Sequence, residues 1–168
     1  SVRLVGSEMC IRDRFYGDSD FIPPFEDIIE EQHRMFKRHP NTTFINAHLG
    51  WLAHDLDRLG KHLDEHPNVV TEFGAVIAEL GRQPIAARNF MIKYQDRIMF
   101  GKDTYKKEEY YLYFRVLETN DEYFDYFRKR HAFWKMYGLG LPDGVLKKIY
   151  HENALNLFPS ISKNLISQ

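Results

Sequence analysis

Thr43-Phe44-Ile45-Asn46-Ala47-His48-Leu49-Gly50 is the stretch of this chain that decides the fold. It is a short run of strand-forming residues that ends in a histidine and a glycine, and an amphipathic helical pattern lies on each side of it. A second run, Arg97-Ile98-Met99-Phe100, also follows a helical pattern and leads into Gly101-Lys102-Asp103. The two runs predict parallel strands that carry polar groups, His48 and Asp103, at matching ends.

Helical and strand patterns alternate along most of the chain. The predicted elements are a helix from Pro24 to about Arg38, a strand to His48, a helix with Leu52, Leu56, Leu59 and Leu63 on one face, a strand over Val69–Phe73, two helical pieces divided near Gly81–Pro84, a strand from Arg97, a helix from about Tyr105 to Leu117, and a closing helix from Pro142 to Pro159. Such alternation implies right-handed βαβ units, in a doubly wound sheet or a (β/α)8 barrel. The barrel is favoured because His48 and Asp103 fall at the carboxyl ends of strands, where barrel active sites lie, while His39 and His66 fall at the opposite end.

The first 14 residues are expected to be foreign to the fold. Val5-Gly6-Ser7-Glu8-Met9-Cys10-Ile11-Arg12-Asp13 resembles a translated transposase adapter of the kind used to build sequencing libraries. The alternative is a natural amino-terminal strand from Val2 to Val5. We therefore expect residues 1–14 to be adapter-derived, residues 15–158 to be the folded domain, and residues 159–168 to be a loose polar tail.

Charge and cysteine content exclude several classes of protein. Outside the first 14 residues the chain has 20 basic and 22 acidic residues, which leaves no basic excess for nucleic acid or an anionic membrane. The single cysteine, Cys10, lies in the adapter-like segment, so neither a disulfide framework nor a cysteine metal site is expected. No apolar run approaches the roughly 18 residues that span a bilayer. A cytoplasmic protein is the default expectation.

Four parts of the sequence resemble the amidohydrolase-related metal-dependent hydrolases. They are Thr42–Gly50, His66-Pro67-Asn68-Val69, Lys93–Asp103 and the closing helix from Leu141 to Leu157. The resemblance covers Phe15 to about Phe158 and implies that the three strands are the sixth, seventh and eighth of a (β/α)8 barrel. The His-x-His of the family's first strand and its strand-five histidine have no counterpart in this sequence. We therefore expect the C-terminal part of a longer enzyme, inactive alone.

The same resemblance assigns roles to two residues. It implies that His48 is catalytic and polarises or orients the reacting group, and that Asp103 is both a metal ligand and the general base. The implied cofactor is a divalent metal, with zinc expected, in a site that this chain leaves incomplete and that should therefore bind no zinc tightly. Without the resemblance, His48 could be a hydrogen-bonded core histidine and Asp103 a helix N-cap.

Three further residues near the predicted site each have two possible roles. Lys102 either contacts an anionic substrate or points to solvent, and Trp51 either lines the pocket mouth or packs on the next helix. Glu72 could face the barrel interior or the helices. Asn153 is expected to be a hydrogen-bonded structural residue. The remaining histidines assigned to helices are expected to be solvated or to pack: His33, His54, His62 and His151.

The segment from residue 105 to residue 137 is dense in aromatic residues interleaved with basic ones, a composition that can bind single-stranded nucleic acid. Acidic residues of the same segment cancel the charge, so we expect it instead to cover the barrel mouth and shape substrate access.

The sequence therefore predicts a hydrolase of amide, ester or lactone bonds that uses a metal-activated water. One alternative is a decarboxylase on the same scaffold, and another is a non-catalytic binding domain built on the aromatic segment. The expected partner is a small-molecule substrate, with no nucleic acid and no membrane, and a homo-oligomer is possible.

Overall fold

Three short strands in one parallel sheet form the centre of the fold. The computed structural model describes residues 23–129 and 131–158. The strands are β1 (Phe44–Asn46), β2 (Val69–Glu72) and β3 (Ile98–Met99), in the order β1-β2-β3. On the central strand, Thr71 lies opposite Asn46 of β1 and Ile98 of β3. This sheet confirms the α/β class and agrees with part of a (β/α)8 barrel.

Helices connect and follow these strands. They are α1 (Phe25–Arg38), α2 (Leu56–Glu65), α3 (Ile77–Gly81), α4 (Pro84–Lys93), α5 (Lys107–Glu118), α6 (Asp143–Lys147) and α7 (Asn153–Leu157). A π-helical turn (Lys148–Glu152) joins α6 to α7, so residues 143–157 form one continuous helical segment. The predicted segments of residues 1–14 and 159–168 lie outside the described residues.

Apolar side chains from the helices pack against the sheet. Leu59 and Leu63 of α2, Met91 of α4, and Ile98 of β3 are all buried in one core cluster. Arg97 links the residue before β3 to the start of β2. Its guanidinium donates hydrogen bonds to the backbone carbonyls of Val69, at 2.7 Å, and His66, at 2.6 Å. Burial lowers the pKa of this arginine.

Several predicted boundaries were wrong. β1 ends at Asn46, two residues before His48, because the backbone turns into a left-handed conformation at His48. α2 begins at Leu56 rather than near Leu52, since the Asp55 side chain accepts a hydrogen bond from the Arg58 backbone N–H and caps the helix there. His54 consequently lies in a turn and not in a helix.

The closing helical segment, residues 143–157, forms hydrogen bonds with the backbone of β3 and its neighbours. The backbone N–H of Phe100 donates a 2.8 Å hydrogen bond to the carbonyl of Ile149 in the π-helical turn. The Asn153 amide donates to the carbonyls of Gln95 (2.6 Å) and Ile98 (2.7 Å). The structural role predicted for Asn153 is thus confirmed.

The aromatic segment, residues 105–137, begins with α5 and continues as irregular chain. A bridge between Phe124 and Met136 closes a loop, and the indole N–H of Trp134 donates to the carbonyl of Ala78 in α3 at 3.0 Å. Several of its basic side chains pair with its acidic ones, including Arg115 with Asp121. In residues 23–129 and 131–158, no helix combines the length and apolar character needed to cross a membrane.

Candidate active site

The turn that follows β1 has an unusual backbone. The φ angle is 56° at His48, 54° at Leu49, 59° at Gly50 and 62° at Trp51, all in the left-handed region. Glycine adopts this region freely, but each non-glycine residue there costs roughly 1–2 kcal/mol. Leu49 is completely buried, so core packing holds the turn in place. Backbone strain retained in this way is typical of functional sites.

The imidazole of His48 has a defined hydrogen-bonding arrangement. Its Nδ1 lies 2.6 Å from the carbonyl oxygen of Gly74. A carbonyl oxygen can only accept a hydrogen bond, so Nδ1 carries the proton and the neutral ring keeps its lone pair on Nε2. Nε2 faces Asp103 Oδ1 at 3.7 Å, across the ends of strands β1 and β3. The structure therefore brings the two sequence-predicted catalytic residues together.

The carboxylate of Glu72, at the end of the central strand β2, contacts both His48 and Gly74. Its Oε1 accepts a hydrogen bond from the backbone N–H of His48 at 2.6 Å, and its Oε2 accepts one from the backbone N–H of Gly74 at 2.6 Å. Oε1 also lies 3.3 Å from His48 Nδ1. Glu72 thus faces the strand ends and not the helices. The alternation of side chains along β2 could not distinguish these orientations.

Two glycines make room for the Glu72 carboxylate. A Cβ atom on Gly101 would overlap Glu72 Oε2, and one on Gly74 would lie 2.7 Å from the same oxygen and 3.2 Å from Asp103 Oδ1. Real Cβ atoms essentially never approach other atoms so closely. Both positions therefore require glycine while Glu72 is in place.

Asp103 does not cap a helix, so the N-cap role that its sequence position also allowed was wrong. Helix α5 begins only at Lys107, and Lys106 occupies the N-cap position. The Asp103 side chain is 32% exposed, so its carboxylate remains accessible at the mouth of the site.

The two residues predicted to bind substrate have different surroundings. The Trp51 ring lies edge-on to the His48 ring with centroids 4.9 Å apart, which places the indole at the site. Lys102 does not point to solvent: its side chain is only 3% exposed, and its ammonium pairs with Glu109. The ammonium also lies 5.5 Å from the ring centroid of Tyr113. A substrate contact for Trp51 or Lys102 stays a prediction.

A catalytic zinc site has three protein ligands and one position open to water. The described residues at the strand ends offer the side chains of His48, Asp103 and Glu72, but both oxygens of Glu72 already accept backbone hydrogen bonds, so by themselves these residues do not complete such a site. In residues 23–129 and 131–158, the three-residue group with ligand atoms close enough for one ion is His33, His62 and His66. That group lies among helices α1 and α2, away from His48. The chemistry of the strand ends is therefore derived from the side chains present there.

His48 and Asp103 present two groups that can each take up a proton. With Nδ1 protonated, Nε2 and the Asp103 carboxylate are two hydrogen-bond acceptors that face each other across 3.7 Å, a separation that one bridging water molecule can span. Carboxylate oxygens thus lie near both ring nitrogens, that of Glu72 at 3.3 Å from Nδ1 and that of Asp103 at 3.7 Å from Nε2. This arrangement can remove a proton from water and return it to a leaving group.

Comparison with family models gives a match over most of the chain. A family model described as amidohydrolase matches residues 25–160, which include the three strands and the residues His48, Glu72 and Asp103. No curated protein and no solved structure matches the chain significantly. Since the matched range covers well over half of its residues, this chain belongs to the amidohydrolase family.

Proposed function

We propose that this chain supplies the acid–base part of an amidohydrolase active site, and that the full-length protein hydrolyses an amide, ester or lactone bond with a metal-activated water. The observation that carries the proposal is the approach of His48 Nε2 to Asp103 Oδ1, 3.7 Å apart at the carboxyl ends of β1 and β3. Active sites of (β/α)8 enzymes lie at this end of the barrel.

The proposed reaction uses these two side chains for proton transfer. Asp103 accepts a proton from the attacking water as the water oxygen bonds to the substrate carbonyl carbon. His48, which takes up a proton from solvent at Nε2 before the reaction, donates a hydrogen bond to the carbonyl oxygen, stabilises the negative charge that develops there, and keeps that proton throughout. The carbon–nitrogen or carbon–oxygen bond then breaks, and the leaving group takes the proton held by Asp103. Glu72 holds His48 in position through the backbone N–H and the side chain.

A divalent metal, for which we propose zinc, would lower the pKa of the attacking water. Asp103 would be one of its ligands. The described residues do not complete such a site, so the proposal requires further histidines from the remainder of the full-length protein. The 168-residue chain alone is then expected to be inactive.

Decarboxylation of an unsaturated acid is the alternative on the same scaffold. The loop after β3, which contains Lys102, gives this alternative no support. Lys102, the residue before Asp103, offers no free charge to a substrate carboxylate, because its ammonium is already paired with Glu109 in a nearly inaccessible position. We therefore retain hydrolysis of an amide, ester or lactone as the proposed activity.

The test compares the full-length protein with its variants in a substrate panel that detects released amine, ring opening and CO2 separately. Asp103→Asn and His48→Asn should each lower kcat by about 100-fold or more, the usual loss for a general acid or base. His39→Gln is the matched control, since His39 ends α1 at the opposite end of the strands, and should retain activity. Release of CO2 would favour the decarboxylase instead. Ligand binding without turnover, unaffected by Asp103→Asn, would identify a binding domain.

A further inference from the structure

Three histidines meet between the first two helices, at the end of the sheet opposite His48. His33 lies on α1, His62 lies on α2, and His66 ends α2 three residues before β2. One nitrogen of each ring lies within 4.8 Å of the corresponding nitrogens of the other two. The rings of His33 and His62 are in contact, with centroids 3.6 Å apart. We call these residues the three-histidine cluster.

The cluster contains buried nitrogens that have no hydrogen-bond partner among residues 23–129 and 131–158. Within these residues, neither His62 Nδ1 nor His66 Nε2 makes a hydrogen bond, although His66 is only 2% exposed. An unpaired buried polar atom costs about 1–3 kcal/mol, and most buried polar atoms in folded proteins are paired. Two such atoms in one cluster indicate that the rings are arranged for a partner outside the chain.

The electrostatic surroundings allow that partner to be a cation. Burial, together with the neighbouring positive groups, lowers the pKa of all three histidines, that of His33 to about 4, so the rings are neutral at pH 7 and keep a lone pair. Arg58 lies beside His62, with its Nε 3.4 Å from His62 Nε2. Glu26 compensates this guanidinium through hydrogen bonds of 3.0 and 2.6 Å.

The spacing of the residues also suits a metal. His62 lies in the last turn of α2, and His66, four residues later, is the C-cap residue, whose backbone N–H donates to the carbonyl of His62. The same four-residue spacing separates the two histidines of helical zinc motifs. The neighbouring helix supplies His33. Zinc–nitrogen bonds of about 2.0–2.1 Å require tetrahedral ligand nitrogens to lie roughly 3.3 Å apart. His33 and His62 are only half-buried, so rotation of their side chains can bring the nitrogens to this separation.

We propose that the three-histidine cluster binds one divalent transition-metal ion, with the three imidazoles as ligands and water at the fourth position. The ion would cross-link α1 to α2 at the amino end of β2 and would stabilise the packing of these helices. This site is separate from the strand ends that carry His48 and Asp103. Sequence analysis assigned His33 and His62 to packing or solvated roles and missed the cluster, although the four-residue spacing of His62 and His66 was a usable signal.

The test is calorimetric titration of the 168-residue chain with Zn²⁺, in a Cys10→Ser background that removes the only thiol. One equivalent should bind, and the melting temperature should rise. His33→Gln and His62→Gln should each weaken binding by more than about 100-fold, because a lost ligand costs more than the 10–100-fold of a lost outer-shell partner. His39→Gln and Asp103→Asn are the matched controls and should bind zinc normally.

The absorption of bound Co²⁺ and the ring NMR signals of the unsubstituted chain provide a second readout that requires no variant to fold. Zinc should shift the ring signals of the three cluster histidines and leave those of His39 and His151 unchanged. The proposal would be overturned by absence of binding, by binding that survives both cluster substitutions, or by binding that is lost in Asp103→Asn. The last result would place the ion at the strand ends instead.

Discussion

The backbone N–H of His48 donates a 2.6 Å hydrogen bond to Glu72 Oε1, and this contact joins the strained turn after β1 to the end of β2. The second oxygen of the same carboxylate accepts from the backbone N–H of Gly74, whose carbonyl in turn faces His48 Nδ1. One acidic side chain therefore fixes both the backbone and the ring of the candidate catalytic histidine. Such positioning is what a general acid or base requires.

The first prediction tests the space that this carboxylate needs. Gly101→Ala would place a methyl group on Glu72 Oε2 and displace the side chain from His48. We expect a loss of about 1–3 kcal/mol in the free energy of unfolding, the usual cost of overpacking. Urea unfolding followed by circular dichroism measures it. Gly144→Ala is the control, because nothing lies within 4 Å of its Cβ position, and this helical substitution should be neutral or stabilising. Equal stability of the two variants would show that Glu72 is not confined as described.

The order of strands and helices could be predicted from sequence because it depends on periodicity. Apolar spacing in the helices and the apolar runs at Ile45 and Ile98 carry this information locally. The local geometry of the site could not be predicted. The left-handed turn at His48 depends on the burial of Leu49, and the orientation of Glu72 depends on the room left by Gly101, which follows β3. These are tertiary effects without a local signature.

Lys102 illustrates the same limit. Its position between Gly101 and Asp103 suggested either solvent exposure or contact with an anion. Only the fold shows that Glu109, in the first turn of α5, pairs with the Lys102 ammonium and that the ring of Tyr113 lies beside this ammonium. Lys102 and Glu109 are seven residues apart, with a loop and the start of α5 between them, and this spacing alone does not predict that they pair.

The second prediction concerns self-association. Among the described residues, β1 and β3 each pair with β2 alone, so each has one edge without a strand partner. Ile45 on β1 is 46% exposed, and an apolar strand edge of this kind favours pairing with another chain. We expect the 168-residue chain to dimerise or aggregate, as measured by size-exclusion chromatography with light scattering. Ile45→Lys should reduce the association. A monodisperse monomer that melts cooperatively would contradict this prediction.

The third prediction concerns residues 1–14. If they derive from an adapter, as their sequence suggests, they have no evolved packing partners. Removing them should leave the free energy of unfolding unchanged within error, as measured by urea titration of the full and shortened chains. A loss of several kcal/mol, the cost expected for removal of a core strand, would show that these residues belong to the fold.

The fourth prediction concerns Glu79 on α3, whose Oε2 is buried and has no hydrogen-bond partner in the part of the chain that the structure describes. Burial raises the pKa of this carboxyl above its usual 4.5. Between pH 4.5 and the raised value the folded state binds more protons than the unfolded state, so the contribution of Glu79 to stability falls as pH rises through this window. Glu79→Gln should therefore stabilise the protein at pH 7, because it removes the charge that burial disfavours. The gain should disappear below pH 4.5.

Thermal unfolding of the original chain and of Glu79→Gln at pH 7 and pH 4 measures this difference. Glu108→Gln is the matched control, because Glu108 is exposed on α5 and the same change of charge should alter stability by less than about 0.5 kcal/mol. A destabilised Glu79→Gln at pH 7 would mean that the ionised carboxylate is held by favourable charges, with His131, Arg82 and His54 as the groups whose fields act on it. An equal gain at both pH values would instead assign the effect to packing, since the carboxylate is protonated at the lower pH.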